Sequence, residues 1–179
     1  HVLHDTVSLP NGKTAVREHI KHPGAVVIIP ILDNGDVILE RQYRYPLGRV
    51  FIEFPAGKLD HKDGIAEDTW LCGQRELLEE TGYTAQEWAY AGQMHIAIAY
   101  TNEVIHIYFA RGLTQGERKL DGEEFLDVFA ASPAQLLAWC ADGTVTDSKT
   151  LTCTLWLQNY LQSLQQKNDL GSLDWKRIP

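Results

Sequence analysis

With 179 residues the chain has the length of one ordinary domain, and at 44% hydrophobic and 22% charged residues it is too apolar to be disordered. Its 16 lysines and arginines stand against 24 aspartates and glutamates, a net charge of -8 with no long basic run, which excludes nucleic acid held along an electrostatic track. No apolar stretch reaches the ~18 residues that a membrane-spanning helix needs.

Residues 2–9 and 14–20 are β-prone runs joined by Pro10-Asn11-Gly12-Lys13, and Asn-Gly between such runs predicts a hairpin, here a small N-terminal sheet. Residues 25–32 form a nearly unbroken apolar run, expected to be a buried central strand, and Asp33-Asn34-Gly35-Asp36 turns it into a second strand over 37–44. A loop over 45–49, a short strand over 50–54 and a loop over 55–64 follow. A helix is expected from residue 67 or 68 to 81, with Gly82 placed for a left-handed cap. Strands are predicted over 88–98, 104–110 and 125–130, with a polar loop over 112–124. Ser132-Pro133 is an N-cap followed by proline at the first helical position, opening a helix to about residue 141. Thr146 or Asp147 can cap a last helix to about residue 166, after which the tail reads as a surface arm. Most strand connections are too short for crossover helices, so a mixed sheet covered by helices is favoured over a doubly wound parallel one. Three cysteines, Cys72, Cys140 and Cys153, are odd in number and far apart, as in a reduced cytoplasmic protein.

The helix over 67–81 carries the chemistry. At 100° per residue, Glu80 falls about 40° and Glu79 about −60° from Glu76, so three carboxylates share one face. Trp70, Leu71, Leu77 and Leu78 fall on the other face and are expected to be buried. Like charges at these spacings cost roughly 0.2–0.5 kcal/mol per pair, and Arg75 offsets only part of that. Clustered hard oxygen donors without Cys or His suit Mg²⁺ or Mn²⁺ beside a substrate phosphate. A solvated acidic face is the plain alternative for a lone Glu-Glu pair. The acidic balance of the chain would itself repel a phosphorylated substrate unless cations or placed arginines intervene.

Residues 57–83 resemble the Nudix box. Glu67, Arg75, Glu76, Leu77, Glu79, Glu80, Gly82 and Tyr83 fit its register, while the longer separation of Gly57 from Glu67 implies a loop insertion within residues 61–65. The segments Glu40-Arg41-Gln42-Tyr43-Arg44, Glu53-Phe54-Pro55-Ala56-Gly57-Lys58-Leu59 and Thr101-Asn102-Glu103 are similar to the ADP-ribose and nucleoside diphosphate sugar pyrophosphatase branch of that superfamily. So are Arg17-Glu18 with His22-Pro23-Gly24-Ala25-Val26. The resemblance implies an α/β fold, a Nudix-type mixed β-sheet sandwiched between helices. It implies an N-terminal β-hairpin segment over 1–22 exchanged in a homodimer, a hydrolase domain over 23–167 and a C-terminal tail over 168–179.

The implied activity is Mg²⁺-dependent (or Mn²⁺-dependent) cleavage of ADP-ribose or a related nucleoside diphosphate sugar to a nucleoside monophosphate and a sugar phosphate. Glu76, Glu80 and the Ala56 carbonyl are the implied metal ligands, with Glu79 on a second metal or on the water. Glu124 or Glu123 is the implied general base. Arg44, Arg41, Glu53, Glu103 and, from the partner subunit, Arg17 are implied substrate contacts. Gly57, Arg75 and Gly82 have structural roles, Arg75 by pinning Glu79. Tyr43, Tyr100 or Phe54 could stack on the base, whereas Trp70, Trp139 and Trp156 read as core. The branch carries a Ser-Pro-Gly segment beyond the box where this sequence has Ala97-Ile98-Ala99, which keeps open a preference for GDP-mannose or another sugar nucleotide. A Nudix-fold sensor that binds without cleaving is the reading from a different class, and the intact glutamate ridge disfavours it.

Overall fold

The computed structural model describes residues 1–118, 125–166 and 173–178. The chain opens with an antiparallel hairpin, β1 (Val2–Ser8) and β2 (Thr14–Ile20), in register from Val2 opposite Ile20 to Ser8 opposite Thr14. Next come β3 (Ala25–Pro30), β4 (Val37–Arg44), β5 (Arg49–Glu53), β6 (Ala56–Lys58) and a miniature hairpin of β7 (His61–Lys62) and β8 (Ile65–Ala66). Helix α1 (Thr69–Glu76) runs directly into a π-helical turn, Leu77–Thr81. The rest comprises β9 (Tyr83–Met94), β10 (Ile105–Gln115), β11 (Leu126–Ala131), α2 (Pro133–Asp142), α3 (Ser148–Gln166) and β12 (Lys176–Arg177).

A five-stranded mixed sheet has the order β12-β9-β10-β3-β6, with β3 parallel to β10, and a second sheet has the order β11-β4-β5. The unbroken apolar run of β3 is explained by its two buried faces. Val26 and Ile28 pack with Cys72, Leu77 and Trp88 under α1. Ala25, Val27 and Ile29 pack on the other side with Leu39 and Phe54 and with Cys153 and Leu157 of α3. Alternate residues of one strand thus feed two cores, and α1 is held against one face of the sheet.

Several local expectations shift. Residues 55–64 are not a plain loop: β6 hydrogen-bonds to β3, and the inserted residues form the β7–β8 hairpin through Asp63 and Gly64, both at positive φ. This is the Asp-Gly two-residue turn that strand twist favours. Leu71 is exposed rather than buried, and Cys72, Gly73 and Leu77 supply the inward stripe. Strand β10 runs on to Gln115, into the stretch expected as a polar loop, because it pairs with β9. The described part of the tail is not a free arm. Lys176 and Arg177 pair with Trp88 and Glu87, and the Arg111 guanidinium stacks 4.0 Å from the Trp175 ring.

Candidate active site

Three elements converge. Asp68 caps α1, its carboxylate accepting from the amides of Trp70 and Leu71 at 3.0 and 3.1 Å, an arrangement worth ~1 kcal/mol. At the other end Gly82 closes the turn in the left-handed conformation, φ 76°. Between them the last turn widens, because Leu77–Thr81 is π-helical. Such insertions cluster at functional sites. The single ridge expected from regular helix geometry is therefore divided. Glu76 and Glu79 face Arg75, while Glu80, only 3% exposed, turns inward and accepts the Ala56 amide at 2.9 Å.

Arg75 organises this wall. Its Nη1 donates to Glu76 at 2.8 Å and to Glu79 at 2.9 Å. Its Nε and Nη2 form a two-pronged pair with Glu67 at 3.1 and 2.8 Å. The Arg75 hydrogen bonds hold the Glu67 carboxyl below its ordinary range, and Glu67 in turn raises the guanidinium pKa. Strand β6 lies so close that a Cβ on Gly57 would sit 1.8 Å from Glu76 Cδ. Only glycine leaves space for that carboxylate.

The facing wall is cationic. Arg44 donates through Nε and Nη2 to the two oxygens of Glu53, each at 2.7 Å, a fork-to-fork pair. Glu53, 1% exposed, also accepts from Lys149 Nζ at 2.8 Å. Lys149 donates again to Asp147 at 2.9 Å. Burial alone would raise the Glu53 and Asp147 carboxyls, but Arg44 and Lys149 outweigh it for Glu53, and Lys149 and Thr150 do so for Asp147, so both stay below their ordinary values. Burial alone would lower Lys149, and the same two carboxylates raise it.

Depressed carboxyls contribute stability above their unfolded pKa of ~4 that is lost as pH falls through the folded values, and the raised lysine contributes stability below ~10.4 that is lost above it. The contribution of this network to the urea midpoint should therefore be flat between these limits and fall on either side. Glu53→Gln should flatten the acid limb; an acid limb identical to that of the parent would count against the network.

The two walls enclose a cavity of ≈ 590 Å³ whose lining includes Glu76, Glu79, Glu80, Arg44, Lys149 and Glu103. Glu103 Oε1 lies 3.6 Å from His22 Nδ1, and both residues border the cavity. Gln42 also borders it, with its Oε1 buried and unbonded. Among the expected substrate contacts, Arg44 and Glu103 line the cavity, while Glu53 lies behind Arg44. Arg41 does not line it: strand alternation turns the side chain away, to Asp127 at 2.9 Å and over the Phe129 ring. Arg17, on β2, donates to the carbonyl of Val16 and lies outside the cavity. Phe54 is fully buried, and Tyr43 and Tyr100 are exposed. Trp139 and Trp156 pack against one core and Trp70 against the other. Glu123 and Glu124 lie outside the described residues.

Lys149, Gln42 and the shared role of Glu67 were not singled out by sequence reasoning. The signal for Lys149 was a cation in the first turn of a helix, where the dipole disfavours it. Among the described residues, no group of three or more His, Cys, Asp and Glu side chains is arranged to hold a metal ion; Arg75 engages Glu76 and Glu79, and the Ala56 amide engages Glu80. The oxygen-only donor set, with the gap at Gly57, nonetheless has the chemistry of a hard divalent cation site.

The family profile described as NUDIX domain matches residues 21–151. The chain is 36% identical over 156 residues to the ADP-ribose pyrophosphatase of Bacillus subtilis (strain 168), covering 86% of this chain and 82% of that protein. The methanol dehydrogenase activator of Bacillus methanolicus matches with the same identity and coverage. A GDP-mannose pyrophosphatase of Yersinia enterocolitica is 28% identical over 145 residues, 75% of this chain and 73% of that protein. A crystal structure of an ADP compounds hydrolase shares the fold at a TM-score of 0.80 and 22% identity, covering 91% of this chain and 86% of that one. With the profile spanning most of the chain and Glu67, Arg75, Glu76, Glu79, Glu80 and Gly82 in the register of the box, the protein belongs to the NUDIX family.

Proposed function

We propose that the protein hydrolyses the pyrophosphate bond of ADP-ribose or a related nucleoside diphosphate sugar, releasing a nucleoside monophosphate and a sugar phosphate. The observation that carries this reading is one cavity with a carboxylate wall facing an arginine–lysine wall, the pairing that a metal-bridged diphosphate requires. Glu76, Glu79, Glu80 and the Ala56 carbonyl would hold Mg²⁺ or Mn²⁺. When bound, such an ion neutralises phosphate oxygens and lowers the pKa of a coordinated water.

The chain's own groups do the rest. Arg44 offers its remaining N–H groups to a phosphate, and Glu53 fixes the plane of that guanidinium. Gln42 Oε1 can accept from a sugar hydroxyl, and Glu103 from a ribose hydroxyl. Glu124, or its neighbour Glu123, would take the proton of the attacking water. The N-terminal hairpin exposes Val2, Val16 and Ile20, and it is a two-stranded sheet joined to the rest of the chain chiefly by the bridge from Ile20 to Thr101, an arrangement of marginal stability in water. Both features support a homodimer with exchanged N-terminal strands that brings Arg17 to the partner's site. Three free cysteines support a cytoplasmic setting.

A preference for GDP-mannose is the second reading, favoured by Ala97-Ile98-Ala99 in place of Ser-Pro-Gly. Monophosphate release from a panel of sugar nucleotides, dinucleotides and nucleoside triphosphates tests the proposal. Sugar nucleotides are expected to be the best substrates; ADP-ribose and GDP-mannose turned over no better than triphosphates would overturn it.

A further inference from the structure

Lys149 is the second residue of α3, at the positive end of the helix dipole, where a cation is disfavoured. Its side chain is 14% exposed and still borders the cavity. Residues that break a local rule and are compensated by distant partners tend to mark function. The compensation here comes from Glu53 and Asp147, which accept from Lys149 Nζ at 2.8 and 2.9 Å. An ammonium has three donors, so one remains for the cavity. Glu53 Oε2 also accepts Arg44 Nη2 at 2.7 Å. A single buried carboxylate oxygen therefore sets the spacing between the two cations. Arg44 spends Nε and Nη2 on Glu53 and keeps Nη1 for a ligand.

We infer that Arg44 and Lys149, clamped by Glu53, form a two-cation grip on the diphosphate of a sugar nucleotide, with Lys149 as a substrate-binding residue supplied by α3. The inference rests on the proposed activity and deepens it. The two cations are set against the carboxylates of Glu53 and Asp147, with buried Glu40 also acting on Arg44, so the wall presents directed N–H donors without a large net positive field. That arrangement suits the two charges of an esterified diphosphate better than the higher charge of a nucleoside triphosphate.

The test compares the parent protein with Lys149→Met, Lys149→Arg and Glu53→Gln in two measurements. One is ADP-ribose hydrolysis with a divalent cation supplied, and the other is calorimetric binding of ADP. Lys149→Met is expected to raise both KM and the ADP Kd by about tenfold or more, with a smaller fall in kcat. Lys149→Arg should recover most of the affinity, and Glu53→Gln should reproduce the KM-weighted loss. A folded Lys149→Met protein with parental KM and Kd, or with its loss confined to kcat, would overturn the inference. If Lys149→Met fails to fold, Glu53→Gln is judged by the same criteria. Failure of the parent to hydrolyse any sugar nucleotide would strike the proposed activity instead, while ADP binding would still report on the grip.

Discussion

Glu80→Gln is expected to lower kcat by about 10²- to 10³-fold, the range seen when one preorganised electrostatic partner is removed. The glutamine keeps an oxygen for the Ala56 amide, which now donates to Glu80 at 2.9 Å, and it keeps the shape of a side chain that is 3% exposed. The negative charge is lost, and one acceptor oxygen becomes an NH2 donor. Unfolding stability should therefore stay within ~1 kcal/mol of the parent, the scale of a single hydrogen bond. Initial rates at saturating Mg²⁺, paired with a circular dichroism melt, separate the two effects. An unchanged rate would remove Glu80 from the machinery.

Gly57→Ala should produce a similar division from the opposite side of the wall. The added Cβ would lie 1.8 Å from Glu76 Cδ and 1.9 Å from Oε1, so the carboxylate has to swing away. The displaced group is the end of a flexible side chain, which limits the folding cost to the ~1–3 kcal/mol of ordinary overpacking. Catalysis has less tolerance, since misplacing a reacting group by ~1 Å can cost 10²-fold. A loss of kcat near that size with a modest fall in the urea midpoint is expected. A variant with parental kcat would count against Glu76 as a metal ligand.

What the sequence made legible was mostly local. Asn11-Gly12 announced the first hairpin, Asp33-Asn34-Gly35-Asp36 the β3–β4 turn, and Ser132-Pro133 the start of α2. In each case the chemistry of the turn or cap sits within a few residues of its consequence. The spacing of Glu76, Glu79 and Glu80 was legible for the same reason, since one helix carries all three. Strand β6 was hidden because Ala56-Gly57-Lys58 has no strand propensity of its own and exists by pairing with β3. The π-turn was hidden because a regular 100° rotation cannot anticipate an added residue, so the inward rotation of Glu80 went unseen. Lys149 meets Glu53 across 96 residues of chain, and Trp175 meets Arg111 only after the tail folds back. Neither contact leaves a periodic trace in the sequence.

Arg75 gives the acidic wall a counterion of its own, since one guanidinium already serves Glu67, Glu76 and Glu79. The pocket consequently does not need a dissolved ion to keep its form, unlike zinc modules whose folding is their metal binding. Treatment with EDTA should silence turnover yet leave the melting temperature nearly unmoved, and added Mg²⁺ should restore the rate within the mixing time. Such a protein could pass through spells of ion scarcity without being unfolded or degraded, idle but immediately recoverable.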